Sequence, residues 1–315
     1  GLTVVKERNL LDQISVIGYG CTKDGVAAIE ADEMAATIDV GEYGTGFDIV
    51  NDGILFNSLM GYAANPIINL AIMLLIIIGG LGFLTWSDIC TNGIDIKRYH
   101  MQSKVILTVT SGLILVPTVY FFFFELVHLP FAERFWGALF QAVTPRTAGF
   151  NTVDLNAMSE TGQMITSLLM IIGGAPGSTA GGMKVTTFAV MISVAAAVFQ
   201  KRQNGCFFGR RIDDDTVKNA ATVFFMYISL FLLGGIAISK LENLPLVTCL
   251  YESASAVGTV GLTLGITPEL GAISKLILIA QMYIGRVGGL TLIFAILPAT
   301  KNTLSKLPVE KISVG

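Results

Sequence analysis

Two short segments carry the residue types from which a cation site can be built. Thr147-Ala148-Gly149-Phe150 and Thr259-Val260-Gly261-Leu262 share the order threonine, any residue, glycine, apolar residue, and their glycines lie 112 residues apart. Glycine after a threonine lets the neighbouring carbonyls turn inward without a side-chain clash. A ring of such carbonyls can replace the hydration shell of a potassium ion. A third copy is read at Gly46-Phe47, 103 residues before Gly149, and a remnant of a fourth at Gly1-Leu2. Recurrence at this spacing marks an internal repeat. The bland alternative is a set of ordinary surface turns, and two copies in register weigh against it.

Two further features sit where an apolar chain should not have them. Gly173 to Gly182 holds five glycines and Pro176 in ten residues, a composition that cannot sustain a helix. Gly177 to Lys184 has the outline of a phosphate-binding loop, but Met183 separates Gly182 from Lys184 and no strand precedes it. Arg286 is the only charge between Leu276 and Thr300. A cation near the centre of a span costs at least a few kcal/mol and is usually paired or faces a pore. A purely structural arginine, satisfied by carbonyls of the broken helix, is the competing reading.

The elements that must position these residues are membrane spans. The 315 residues are 53% apolar and only 14% charged, against roughly 25% charged in soluble domains. A bilayer core about 30 Å thick needs about 20 apolar residues in a helix. Five segments qualify: Pro66 to Trp86, Val105 to Phe124, Thr161 to Gln200 with Lys184 as its one charge, Asn219 to Ser239, and Leu276 to Thr300. Lys97, Arg98 and Lys104, then Lys201, Arg202, Arg210, Arg211 and Lys218, then Lys301, Lys306 and Lys311 fall on one side. That side is expected to be the cytoplasm, with the C-terminus inside. Phe135 to Thr144 is apolar but ten residues long, about 15 Å of helix and half a membrane; Leu246 to Val257 is similar. The order span, half-helix, Thr-x-Gly turn, span therefore occurs twice. Irregular backbone at membrane depth is tolerated only inside protein or along a water-filled path, and the C-terminal end of a half-helix favours a cation.

Other chemistries find little support. Cys21, Cys90, Cys206 and Cys249 are isolated and read as free thiols, and His100 and His128 form no ligand pair. No nucleophile–base set or paired carboxylates lie within the spans, so an enzyme is not expected. No basic run interleaved with aromatics suggests nucleic acid. The opening residues do not read as a signal peptide.

Four stretches make the resemblance specific: Thr144 to Leu155 (TPRTAGFNTVDL), Gly173 to Phe188 (GGAPGSTAGGMKVTTF), Ser255 to Leu270 (SAVGTVGLTLGITPEL) and Ile284 to Leu292 (IGRVGGLTL). Over about residues 45–300 the chain resembles the membrane subunits of Trk/Ktr potassium transporters. The resemblance implies an all-α membrane protein in which repeated helix–pore loop–helix units surround a single ion pore. It implies a filter at Thr147, Ala148, Gly149, Phe150, Thr259, Val260, Gly261 and Leu262, with Gly46 in the second repeat and potassium at Gly149 and Gly261. It assigns a gate to Gly173, Gly174, Gly177, Ser178, Thr179, Gly181, Gly182 and Lys184, with Arg286 as an electrostatic barrier beside it. Potassium is then substrate, no cofactor is covalently bound, and sodium dependence would mark the Ktr branch. The implied surroundings are membrane lipid, a homodimer, and a cytoplasmic nucleotide-binding regulatory subunit of the Trk/Ktr A type. The implied location is the bacterial cytoplasmic membrane.

The N-terminal region departs from that pattern. Residues 1–52 hold ten acidic and three basic side chains, and residues 6–44 contain no span. Residues 1–56 are therefore read as an aberrant segment with remnants of the first and second pore loops, as in a truncated or frame-disturbed product. Residues 57–103 complete the second repeat and a cytoplasmic loop, 104–217 form the third repeat with its broken inner helix, and 218–315 form the fourth with a tail. An ion-coupled solute carrier and a non-conducting regulatory subunit are the competing functions.

Overall fold

Asn65 starts the first helix by accepting hydrogen bonds from the Ile67 and Ile68 amides at 3.1 and 3.3 Å, and Pro66 supplies a first-turn residue with no amide to satisfy. In the computed structural model the described residues are 58–93, 95–202 and 204–288, with the backbones of three short strands ahead of them. These strands, β1 (Ile17–Tyr19), β2 (Ala36–Asp39) and β3 (Gly46–Asp48), form one sheet in that order. β1 and β2 run parallel and β2 and β3 antiparallel.

Helices make up most of the other described residues. α1 (Pro66–Gly80) and α2 (Phe83–Asn92) are followed by α3 (Met101–Tyr120), which widens into a π-helical turn at Phe121–Glu125 after Pro117. α4 (Phe131–Val143) precedes the first Thr-x-Gly turn, and α5 (Glu160–Ile171) and α6 (Val185–Phe199) follow it. A small hairpin, β4 (Cys206–Phe207) and β5 (Arg210–Arg211), leads to α7 (Asp214–Glu242), α8 (Leu246–Gly258) and α9 (Ala272–Val287).

Two of these elements, Met101–Glu125 and Asp214–Glu242, are single helices long and apolar enough to cross a bilayer, and 28% of each apolar window is buried in protein. The remaining apolar surface, including Leu115, Val116, Phe225 and Leu233, has the character of a lipid-facing wall. The half-helices are 13 residues each, about 20 Å, and stop inside the fold. α8 is enclosed by α5, α7 and α9, while α4 packs on α1 and α3. Small residues permit the close approach: a Cβ at Gly235 of α7 would lie 2.5 Å from Leu250 of α8.

One expected span is different. Pro66 to Trp86 is not straight: α1 and α2 meet at 100°. The hinge residue Gly82 has φ +76°, and a Cβ there would stand 2.4 Å from the Pro176 carbonyl. The bend is made by the glycine-rich loop packed against it, which lies too far along the chain for a local apolar run to report. The segment Thr161 to Gln200 is broken as expected, with α5 ending at Ile171 and α6 starting at Val185. A helix, not a strand, precedes this loop, in keeping with the rejected phosphate-loop reading. Leu276 to Thr300 is helical to Val287, and its remainder lies outside the described residues.

The two repeats share a clamp absent from the sequence patterns. Glu125 accepts from the Ser159 amide and, at 2.9 Å, from the Ser159 hydroxyl. Glu242 accepts from the Gly271 amide at 2.9 Å and from the Ser274 hydroxyl at 2.5 Å. Ser159 and Gly271 are 112 residues apart, so each repeat ties the end of its first long helix to the start of the next. Glu125→Ala should lower stability by about 1–2 kcal/mol, the loss of a charge-assisted cap. Thermal unfolding of the detergent-purified protein would measure it; an unchanged midpoint would show the clamp to be idle.

Candidate functional site

The Thr-x-Gly turns leave their half-helices in the same unusual conformation. Thr147 and Gly149 have φ +59° and +73°, and Thr259 and Gly261 have φ +48° and +96°. A β-branched residue with positive φ is a true outlier, and each such position costs about 1–3 kcal/mol. Two threonines carry that cost at equivalent places. Alternating the sign of φ turns successive carbonyls toward one side, the effect inferred for the glycines but here begun by the threonines.

Hydrogen bonds from the half-helices hold the strained turns. The Thr144 hydroxyl donates to the Phe150 carbonyl at 2.5 Å. Val260 N–H donates to the Ser255 carbonyl at 2.8 Å, and Gly261 N–H to the Ser255 hydroxyl at 3.2 Å. The turns also touch each other. The Thr147 hydroxyl donates to the Gly258 carbonyl at 3.2 Å, and a Cβ on Gly149 would stand 2.7 Å from the Val260 carbonyl. Tertiary structure thus joins two copies separated by a whole repeat.

The glycine-rich loop packs directly on this pair. Its two ends are stitched together, with Gly173 N–H donating to the Met183 carbonyl at 2.8 Å and Met183 N–H to the Ile171 carbonyl at 3.0 Å. Its outer side is held by the bend in α1–α2: Ala175 N–H donates to the Gly80 carbonyl at 2.8 Å, and Phe83 N–H to the Gly177 carbonyl at 3.3 Å. On the other side Gly182 N–H donates to the Gly285 carbonyl at 3.2 Å, which also accepts from the Tyr227 hydroxyl at 3.3 Å. A Cβ at Gly181 would lie 2.1 Å from the Thr259 hydroxyl oxygen, and that buried hydroxyl has no protein partner.

Both cations singled out in the sequence reach this loop. Arg286 donates to the Thr179 carbonyl, and Lys184 donates to the neighbouring Ala180 carbonyl at 2.6 Å. Carbonyl ligation of Arg286 is what the structural reading of that residue required, and its place on the loop is what the alternative required. A cavity of about 440 Å³ connects the elements, lined by Thr147, Ala148 and Phe150 of one turn, Thr179 and Ala180 of the loop, and Arg146.

The chain belongs to the TrkH family of cation transport proteins. The family model matches residues 45–305, which include both turns and the loop. A potassium/sodium uptake protein, NtpJ, of Enterococcus hirae is 38% identical over 281 residues, covering 86% of this chain and 61% of that protein. The Ktr system potassium uptake protein B of Bacillus subtilis is 38% identical over 245 residues, covering 76% and 55%. The potassium transporter TrkH of Vibrio parahaemolyticus matches with a TM-score of 0.64 at 21% identity over 78% of this chain and 55% of that one; this likeness speaks to the fold. It agrees with an all-α membrane architecture. The chain spans about 55–61% of the length of these two curated relatives.

Within this family member, Thr147 to Phe150, Thr259 to Leu262, the loop residues from Gly173 to Gly182, Lys184 and Arg286 come together. Gly46 is described only as the first residue of β3, in register with Asp39, and Gly1 lies outside the described residues. Sequence reasoning missed four buried residues. Arg146, 6% exposed, directly precedes the first turn. Glu252, 2% exposed, lies in α8. Gln141 and Ser253 anchor the half-helices, through Thr166 at 3.3 Å and Gln281 at 3.0 Å. A lone charge inside each half-helix and turn segment was the available signal for the first two.

Proposed function

We propose that this chain forms part of a potassium uptake pathway, in which the Thr-x-Gly turns act as filter and the glycine-rich loop as gate. The observation that carries the reading is the contact between the two turns, both strained alike and both above a loop that meets Thr259. Potassium is the transported ion, coordinated around Gly149 and Gly261. The names of the relatives from Enterococcus and Bacillus support that ion, and the first of them also supports a role for sodium. Gly46 contributes the second repeat's filter residue in this proposal.

Gating follows from the loop's position. With Gly181 against Thr259, the loop blocks the inner end of the turn, and Lys184 and Arg286 add two positive charges beside the path. Withdrawal of residues 179–182 opens it. The proposal includes a multi-pass subunit of the bacterial cytoplasmic membrane with its C-terminus inside. It includes a homodimer, and a cytoplasmic nucleotide-binding regulatory subunit docking on the basic loops at 88–104 and 201–218.

The test is potassium-limited growth of a transport-deficient bacterium expressing the chain, with Gly261→Ser as control. Rescue that the control abolishes is the expected result, because serine cannot readily hold φ +96°. Normal membrane insertion without rescue would overturn conduction by this chain.

A further inference from the structure

We propose that Glu252 is the positioning residue of the fourth-repeat turn and thereby sets how sharply potassium is discriminated from sodium; the selectivity part rests on the potassium reading above. Glu252 is almost completely buried within α8, and nothing in the filter or gate uses it. One carboxylate oxygen accepts from the Thr263 hydroxyl at 2.6 Å and the Leu264 amide at 2.9 Å. The other accepts from the Thr267 hydroxyl at 2.8 Å. A carboxylate offers only acceptors, and all three donors come from the segment just beyond Leu262.

The turn is therefore gripped at both ends by one helix. Ser255 holds its near side through Val260 and Gly261, and Glu252 holds the strand of backbone that leaves it. The Thr263 hydroxyl also accepts from Gly265 N–H at 2.9 Å, so the small loop 263–265 closes around the carboxylate. The helix carrying Glu252 is fixed in turn: the Ser253 hydroxyl donates to the Phe231 carbonyl at 2.8 Å and accepts from Gln281 at 3.0 Å. A site built from carbonyls recognises an ion through their number, positions and stiffness, and charge-assisted hydrogen bonds are the strong ones available to stiffen them.

Of the two turns among the described residues, only the second has this grip. The position 112 residues earlier is Phe140, a fully buried apolar side chain. There the exit of the turn is held without a carboxylate: the Thr144 hydroxyl donates to the Phe150 carbonyl, and Asn151 N–H donates to the Ser58 hydroxyl while its carbonyl accepts from Leu59 N–H. A buried charge in one half-helix and an apolar residue at the same place in the other is expected for a device that tunes a site, since α4 packs with Phe140 there.

The experiment has two arms. In cells, Glu252→Gln keeps the size of the side chain but replaces one acceptor by a donor. Rubidium uptake by the full chain should then become about tenfold more sensitive to sodium, the loss of one or two bonds to a charged group. Thr263→Val should move the same ratio in the same direction, and Thr263→Ser should restore it. A sodium sensitivity unchanged in both Glu252→Gln and Thr263→Val, at normal expression, would overturn the selectivity role. In detergent-purified protein, amide exchange across residues 259–266 should be on the order of tenfold faster in Glu252→Gln than in the unsubstituted chain. Unchanged exchange would overturn the grip itself. If the unsubstituted chain carries no ion, the potassium reading and the selectivity role fail together, while the exchange arm still decides whether Glu252 holds the turn.

Discussion

Gly149→Ala is expected to cut potassium uptake by at least about tenfold while leaving membrane insertion intact. Two costs combine. The residue has φ +73°, where a Cβ costs about 1–2 kcal/mol. The added methyl would also stand 2.7 Å from the Val260 carbonyl and 3.4 Å from the Gly261 Cα. Both contacts are backbone of the partner turn, so relief comes only by moving the carbonyls that would face the ion. Each 1.4 kcal/mol lost at the site is about a factor of ten. Gly265→Ala isolates the strain term, because Gly265, in the 263–265 loop around Glu252, has φ +88° but open space where a Cβ would go. It carries the backbone strain without touching the other repeat. Uptake near the unsubstituted rate in Gly149→Ala would remove the paired turns as the ion site.

Gly173→Ala is expected to have the opposite sign. A Cβ at Gly173 would lie 1.8 Å from the Gly181 carbonyl, inside the narrow neck where the loop closes on itself. No rotamer change relieves a clash with backbone, so the two ends of the loop must separate. Gly181 and Gly182 then lose their seat on Thr259, Gly258 and the Gly285 carbonyl. With the turns themselves untouched, the maximal uptake rate should rise several-fold and the apparent affinity for potassium should stay the same, since only the population of open loop changes. Rubidium uptake over a concentration series separates the two parameters. Gly112→Ala, on the exposed side of α3 with nothing within 4 Å, should behave as the unsubstituted chain. A lower maximal rate in a well-inserted Gly173→Ala protein would mean that the loop supports the path instead of closing it.

The two predictions turn on different kinds of information. That the chain has long apolar helices at 101–125 and 214–242 was readable from uninterrupted apolar runs, because such runs are long enough to satisfy both the bilayer and the backbone at once. That Phe131–Val143 and Leu246–Gly258 stop short was readable in outline from the brevity of their apolar stretches, with the first helix starting four residues before its expected limit. The break between α5 and α6 was readable because glycine and proline oppose helix formation wherever they occur. Spacing alone aligned Gly149 with Gly261.

What composition and spacing did not reveal was burial, backbone conformation and partners distant in the chain. The 100° turn after Gly80 exists because Gly82 backs onto Pro176, and it frees the Gly79 and Gly80 carbonyls for the loop. Arg146 and Glu252 look like stray charges in apolar segments until their burial is known. The threonines at 147 and 259 look like ordinary residues before a glycine until their positive φ is seen. The sequence by itself determined which segments are helical and which backbone must be irregular, since those follow from local polarity and chain stiffness. Only the tertiary structure decided that the irregular pieces meet, because they close on residues far along the chain: the Thr147 hydroxyl donates to the Gly258 carbonyl and Gly182 N–H to the Gly285 carbonyl, while Gly149 packs against Val260 and Gly181 against Thr259 with no room for a Cβ.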